Sequence, residues 1–193
     1  MGIRYQWEWT LEAARAFSGL NWCDIGMLEL GNQHFVGYGP DRDHQGTVKQ
    51  WAKDRGLRQH VSIDINGKDG AYLYDLRLPL PAQYVNYQIV TNFGTSEHID
   101  QQEPVFKNIH EVCAINGIML HVVPLVGHWP GHCLYRYAEC FFSRLVMDNL
   151  YRVRILTTLP KCHAHDELLI AILQRRSKAN FIFYPTEGLQ KGP

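Results

Sequence analysis

The order of apolar and polar residues between positions 87 and 125 predicts a strand, a helix and a second strand. Ile89 and Val90 lie in a short apolar run that ends in the segment 91–94, which is polar and contains a glycine. Because glycine lets the backbone approach a ligand closely, we expect a functional site at the end of this strand.

The helix of this β-α-β unit is expected to begin near Pro104, whose missing N–H costs nothing in a first turn. Its apolar face is formed by Val105, Ile109, Val112 and Cys113. Asn116-Gly117 is expected to end the helix. The apolar run 118–123 then predicts a strand covered on both faces, and Pro124 closes it.

Similar patterns predict the elements that precede this unit. They are a helix over 10–20, a strand over 24–30, a loop over 34–46, a helix over 47–55, a strand over 60–64 and a strand over 71–76.

The elements after the unit are a helix over 137–150, a strand over 151–158, a helix over 166–176 and a last strand over 180–184. The helix over 166–176 is inferred from the apolar positions Leu168, Leu169, Ile172 and Leu173, followed by basic residues that suit the end of a helix. Strands and helices alternate, so we predict an α/β fold with seven strands in a single domain spanning residues 1–193.

The composition agrees with one globular domain, since 46% of the 193 residues are hydrophobic and 20% are charged. Nineteen basic and nineteen acidic residues cancel, which argues against nucleic acid or an anionic membrane as a partner. No apolar run of about 18 residues is present. The five cysteines form no C-x-x-C pair and predict no disulfide framework, so we expect a cytoplasmic location.

The central unit resembles part of the class I S-adenosylmethionine (SAM)-dependent methyltransferases of small-molecule type. The matching features are Glu97-His98, Phe106, Ile109, Val112, Asn116-Gly117 and Pro124. The next segment also resembles that family, through His132, Tyr135-Arg136-Tyr137 and Phe141-Phe142. The resemblance covers roughly residues 25–158 by pattern. It implies a three-layer, Rossmann-like sheet of seven strands in the order 3-2-1-4-5-7-6, with the last strand antiparallel.

The resemblance also implies SAM as the cofactor, because an acid at a strand end can hold its amino or ribose groups. The implied contacts are Glu29, Gly31, Asn32, Gln33, Asp64, Ile65, Asp75, Leu76, Asn92 and Phe93. Gln33 stands where the family has a second glycine, and without the resemblance Glu29 and Gly31 would also suit an ordinary strand-to-loop junction. Asp64 would likewise suit a turn rich in Asx and glycine.

The reaction that the resemblance implies is methyl transfer to an O or N atom of a small-molecule acceptor. The implied catalytic residues are His132, His98 and Glu97, with His132 preferred as the base that removes the acceptor's proton. An acceptor wall is expected from side chains that combine apolar area with polar tips, namely His128, Trp129, Tyr135 and Tyr137.

A metal site is the less favoured interpretation of these histidines. Some members of the family hold a divalent cation through a Glu-x-x-Glu-His run and a later histidine. Here Gly94 replaces the first Glu, so a hard cation would lose an oxygen ligand and we expect transfer without a metal. A weaker alternative is ligation by His128, His132, His163 and His165.

Two other functional classes stay open. A catalytically degenerate protein that binds SAM or a protein partner would account for Gln33 in the glycine turn. A nicotinamide-dependent oxidoreductase is disfavoured, because no G-x-G-x-x-G follows a predicted strand. The sequence identifies neither the acceptor nor the oligomeric state.

Overall fold

A computed structural model describes residues 2–4, 7–36, 46–159, 167–184 and 187–192. The elements of the first half are β1 Gly2–Arg4, α1 Glu8–Ser18, β2 Gly26–Leu30, β3 His34–Val36, α2 Val48–Asp54, β4 Gln59–Asp64 and β5 Tyr72–Leu73. The elements of the second half are β6 Tyr87–Phe93, α3 Gln102–Val112, β7 Cys113–Pro124, β8 Tyr135–Tyr137, α4 Glu139–Asn149, β9 Arg152–Leu159, β10 Leu168–Gln174 and β11 Leu189–Lys191.

The main sheet of the described residues has seven strands in the order β5-β4-β2-β6-β7-β10-β9. Neighbouring strands from β5 to β7 are parallel, whereas β10 is antiparallel to both β7 and β9. Counted along the chain, this is the order 3-2-1-4-5-7-6 with an antiparallel seventh strand. The predicted fold class and strand order are therefore confirmed.

Helices cover both faces of this sheet, which gives the fold three layers. Met27 and Ile89 belong to the core on the side of α1 and α2. Their chain neighbours Leu28 and Val90 belong to the core on the side of α3 and α4. The inner strands are thus buried on both faces, which explains why they are apolar almost throughout.

The predicted helix over 166–176 is wrong, because this segment forms the strand β10. Leu169, Ala171 and Leu173 enter one core and Leu168, Ile170 and Ile172 enter the other. Because the strand is covered on both faces, its residues 168–173 are all apolar, and such a short run cannot be told from a helix by period. The basic residue that follows does not end a helix, since Nη1 of Arg175 donates to the Cys113 carbonyl at 2.7 Å.

The predicted strand over 180–184 is also wrong, because this segment belongs to no sheet. Phe181 and Phe183 pack against the core on the side of α3 and α4. The side chain of Asn149 satisfies the Ile182 backbone, donating to its carbonyl and accepting from its N–H, both at 2.8 Å. A side-chain amide therefore takes the place of a neighbouring strand.

Asn116-Gly117 does not end α3, which stops at Val112. The pair lies inside β7, where the pairing with β6 shifts register and Asn116 has a φ of 64°. A Cβ at Gly117 would lie 2.8 Å from the Ala114 carbonyl oxygen, so the backbone is too close there for a side chain. The turn residues therefore mark a bulge in a strand, and Cys113 begins that strand.

Two other predicted elements are shorter or different in the structure. In the predicted loop over 34–46, His34–Val36 form β3, which pairs in parallel with β1, and residues 37–45 lie outside the described residues. In the predicted strand over 71–76, only Tyr72–Leu73 pair with β4. By contrast, α2 and α4 confirm their predictions, and Thr47 caps α2 by accepting the Gln50 N–H at 3.0 Å.

Candidate functional site

A cavity of about 510 Å³ opens at the carboxyl ends of β2, β4 and β6. Six of the ten residues predicted to contact the cofactor line it, namely Gly31, Gln33, Asp64, Ile65, Asp75 and Leu76. Parallel strands bring their carboxyl ends to one edge of the sheet, and the turns that follow the strands form the walls. The expected cofactor residues on the turns after β2, β4 and β5 therefore lie around one cavity.

Asp64 ends β4 and organises the turn that follows β2. Its Oδ2 accepts the Asn32 N–H and its Oδ1 accepts the Asn66 N–H, both at 2.8 Å. Each carboxylate oxygen keeps a lone pair for a ligand. Asn32 itself does not line the cavity, because its side-chain amide donates to Asp69 at 2.7 Å.

Glu29 lies beneath this turn and outside the cavity wall. Its Oε1 accepts the Gln33 N–H at 2.9 Å, and its Oε2 is 2.9 Å from Nε2 of His60. Burial raises the pKa of Glu29 above its usual value, and the contact with His60 opposes that shift. The carboxyl group therefore shapes the glycine turn from inside the protein.

The segment after β5 brings Asp75 and Arg77 to the cavity. The Arg77 guanidinium binds the Asp75 carboxylate at 2.7 to 3.0 Å, and these hydrogen bonds lower the pKa of Asp75. Nη1 of Arg77 also lies 3.6 Å from Oδ1 of Asp100. Sequence analysis missed Arg77 and Asp100, although the D-x-R spacing at Asp75 was a usable signal.

Asn92 and Phe93 do not line the cavity. Asn92 is buried and fixes the next turn, since its Oδ1 accepts the Ser96 N–H at 3.1 Å and its Nδ2 donates to the Ser96 hydroxyl at 2.8 Å. Phe93 packs in the core on the side of α1. Both residues therefore lie in the buried part of β6, where they support the cavity wall without facing the cavity.

His98 lies in this turn and faces the cavity. Its side chain is 37% exposed, and burial together with the nearby His132 lowers its pKa. The two imidazole rings are 5.3 Å apart, but His132 does not line the cavity and its ring packs 5.1 Å from that of Trp129. The structure therefore brings His98, rather than the preferred His132, to the cavity.

Glu97 is fully buried behind His98. Among the described residues neither of its carboxyl oxygens has a hydrogen-bond partner, and burial raises the pKa of Glu97 to about 8. Its Oε1 lies 3.8 Å from Nε2 of His98. Burial therefore favours the protonated, neutral form of this side chain.

None of the four residues predicted for the acceptor wall lines this cavity. Tyr137 is fully buried, and its hydroxyl donates to Oε1 of Gln102 at 2.6 Å. The Trp129 indole donates to the Glu167 carbonyl at 2.9 Å, and His128 lies 3.7 Å from the carboxylate of the same Glu167. These polar tips are used within the protein.

Tyr135 does not line the cavity either, and its hydroxyl donates to the Asp100 carbonyl at 3.0 Å. Leu134, which sequence analysis did not select, lines the cavity instead. Of the segment 125–137, only Leu134 therefore reaches the cavity.

No three His, Cys, Asp or Glu side chains come together in a metal-binding arrangement within the described residues. His163 and His165, considered above as weak ligand candidates, lie outside those residues. No helix in the described part of the chain is both long and apolar enough to cross a membrane.

No protein-family model and no curated protein sequence matches this chain. A putative SAM-dependent methyltransferase from Listeria monocytogenes is similar in structure over 89% of this chain and 96% of that chain, with a TM-score of 0.58 and 11% identity. The N-methyltransferase NodS from Bradyrhizobium japonicum matches over 89% and 95%, with a TM-score of 0.55 and 12% identity. Burkholderia thailandensis 1,6-didemethyltoxoflavin-N1-methyltransferase matches over 88% and 81%, with a TM-score of 0.55 and 15% identity.

The chain has the class I methyltransferase fold. In this methyltransferase fold the order of strands along the sheet reverses between β2 and β6. Ligands of open α/β sheets bind beside such a switch point. The cavity lined by Gly31, Asp64 and Gly94 lies there.

Proposed function

We propose that the protein is a SAM-dependent methyltransferase that transfers a methyl group to an N or O atom of a small-molecule acceptor. The observation that carries this proposal is the placement of Asp64, Asp75 and Gly31 around one cavity at the switch point of the sheet. The fold alone hosts many activities, so the proposal depends on these side chains.

The nucleoside end of SAM fits the wall formed by β4 and the segment after β5. Asp64 offers carboxylate lone pairs to the ribose hydroxyls, and Ile65 with Leu76 offers apolar surface to the adenine. The Asp75 carboxylate, already bound by Arg77, lies beside that surface. The solved structure of the Burkholderia protein has S-adenosylhomocysteine and 1,6-didemethyltoxoflavin bound, which supports SAM as the cofactor and a small molecule as the acceptor.

His98 is the residue best placed to handle the acceptor's proton. SAM supplies an electrophilic methyl group, and an N or O acceptor that forms the new bond must lose a proton to a base. The imidazole of His98 lines the cavity and burial lowers its pKa, so it is neutral near pH 7 and able to accept that proton.

Calorimetric titration with S-adenosylhomocysteine tests this proposal without knowledge of the acceptor. The wild-type protein should bind it, and Asp64→Ala should weaken binding by about tenfold to a hundredfold through loss of charge-assisted hydrogen bonds. Asp54→Ala is a matched control, because that exposed carboxylate at the end of α2 lies outside the cavity. Equal affinity of all three proteins would refute the placement.

A second candidate function is SAM binding without methyl transfer. The observation that favours it is the Gln33 side chain, which lies over Gly31 and donates to Thr95 at 3.1 Å. An assay for S-adenosylhomocysteine release over a panel of amines and phenols separates the two candidates. If the protein binds SAM but forms no S-adenosylhomocysteine with any acceptor in the panel, the second candidate is favoured.

A further inference from the structure

The Gln33 side chain crosses the glycine turn at one end of the cavity. Its Nε2 donates to Oγ1 of Thr95 at 3.1 Å, and a Cβ at Gly31 would lie only 2.7 Å from that nitrogen. All three residues line the cavity. Oγ1 of Thr95 would lie 2.5 Å from the same Cβ, so the Gln33 amide and the Thr95 hydroxyl together cover the face of Gly31 at which a ligand could approach the backbone.

Thr95 determines the orientation of this amide. Its hydroxyl has one proton, which it donates to the Leu30 carbonyl at 2.9 Å, so towards Gln33 it can only accept. The Gln33 atom that faces Thr95 is hence the NH₂ group. The carbonyl oxygen Oε1 is buried and has no hydrogen-bond partner in the described part of the chain.

This closed arrangement is only weakly held. One neutral hydrogen bond to Thr95 favours it, whereas the unpaired carbonyl oxygen of Gln33 opposes it. The backbone of Gln33 is firmly held by comparison, because its N–H donates to Glu29 and its carbonyl accepts the Val48 N–H at 3.0 Å. The side chain can thus leave Gly31 while the turn stays in place.

We propose that Gln33 and Thr95 form a latch over Gly31 that the amino-acid end of the cofactor must open. This inference rests on the proposed function, in which the nucleoside lies against Asp64, Ile65 and Leu76 and the remainder of the molecule extends to Gly31. The latch lowers the affinity for ligands that carry the amino-acid chain and leaves the affinity for ligands that lack it unchanged.

The test compares the calorimetric affinities of two ligands that share a nucleoside and a sulfur atom. S-adenosylhomocysteine carries the amino-acid chain, and 5′-methylthioadenosine lacks it. In Gln33→Ala the affinity for S-adenosylhomocysteine should rise by about twofold to tenfold, the effect of one neutral hydrogen bond. The affinity for 5′-methylthioadenosine should stay within about twofold of the wild-type value, which is close to the error of such comparisons.

Two substitutions at Thr95 supply an independent measurement. Thr95→Val removes the hydroxyl and should have the same effect as Gln33→Ala, which is tighter binding of S-adenosylhomocysteine and unchanged binding of 5′-methylthioadenosine. Thr95→Ser keeps the hydroxyl and should resemble the wild type. Thermal melting of each variant establishes that it is folded. If Gln33→Ala fails to fold, the comparison of Thr95→Val with Thr95→Ser decides the question.

The outcomes separate the latch from the proposed function. Tighter binding of S-adenosylhomocysteine alone supports the latch. Unchanged or weaker binding of S-adenosylhomocysteine by both Gln33→Ala and Thr95→Val overturns the latch. Equally tightened binding of 5′-methylthioadenosine also overturns it, because Gln33 would then obstruct the nucleoside. If the wild type and every folded variant bind neither ligand, the latch and the proposed function are both wrong.

Discussion

The hydroxyl of Tyr137 donates a hydrogen bond of 2.6 Å to Oε1 of Gln102 in the interior of the protein. The same hydroxyl lies 2.8 Å from the Ser96 hydroxyl, which Asn92 contacts in turn. This chain of buried hydrogen bonds ties β8 and α3 to the turn that carries His98. Tyr137 therefore holds the cavity wall in place without reaching the cavity.

Tyr137→Phe should lower the free energy of unfolding by about 1 to 3 kcal/mol, because it leaves a buried Gln102 oxygen without a donor. Urea denaturation measures this change. Tyr135→Phe is the matched control, since it removes an exposed hydroxyl bond two residues away and should cost less than about 0.5 kcal/mol. Equal effects of the two substitutions would contradict the buried network.

Glu97 should make the protein less stable as the pH rises. Burial raises its pKa to about 8, whereas an unfolded Glu titrates near about 4.3. Between these values the folded state holds a proton that the unfolded state has released, so the free energy of unfolding falls as pH increases. The loss is complete above the folded pKa.

Glu97→Gln removes this titration and keeps the shape of the side chain. Between pH 5 and pH 8 the variant should gain stability relative to the wild type. The difference in unfolding free energy, variant minus wild type, should rise by on the order of 1 to 4 kcal/mol. Glu111→Gln, on the exposed face of α3, should show no such pH dependence. Parallel pH profiles for wild type and Glu97→Gln would show that Glu97 is ionised when folded.

Two buried histidines should make the protein sensitive to acid. Burial lowers the pKa of His121 to about 3 and that of His110 to about 4. Below the ordinary value near about 6.5 the unfolded chain binds protons that the folded chain does not, so stability is lost as the pH falls. Between about pH 6 and pH 4 these two histidines should contribute a slope that approaches two protons, from which the proton held by folded Glu97 subtracts up to about one.

His121→Phe should reduce that acid slope by about one proton, because the ring lies between Phe106 and Phe142 and a phenyl group keeps this packing. Chemical denaturation at several pH values provides the slopes. His34→Ala serves as the control, since the His34 ring is about half exposed. An unchanged slope in His121→Phe would assign acid sensitivity to other groups.

If the protein transfers methyl groups, His98→Ala should lower kcat by about 10² to 10⁴, the usual contribution of a positioned base. His132→Ala should have a much smaller effect, because that ring does not face the cavity. Single-turnover rates in chelator-treated protein measure both effects.

Since the pKa of His98 is lowered, activity should persist below about pH 6.5, where an ordinary histidine would be protonated. Full activity of His98→Ala would exclude it as the base.

The sequence located the parts of the fold that have a distinctive period or turn. The β-α-β unit was predicted correctly except for the end of its helix, because apolar inner strands and polar strand ends differ sharply in character. Asp64 and Asp75 line one cavity, although Asp75 lies beyond the short strand β5. The prediction failed at β10, where residues 168–173 are all apolar because the strand is buried on both faces, so no polar residue shows the period before Gln174. Nor could the pattern tell that the hydroxyl of Tyr137 is consumed inside the protein, since that depends on Gln102, 35 residues away.

The position of β10 constrains the order in which the sheet can be completed. Within the described residues β9 pairs with β10 and with no other strand, although β9 precedes β10 along the chain. During synthesis β9 must therefore wait, unpaired, until the chain has been extended through Gln174. Its row of free backbone groups is exposed for that interval, and pairing with another nascent chain competes with completion of the sheet.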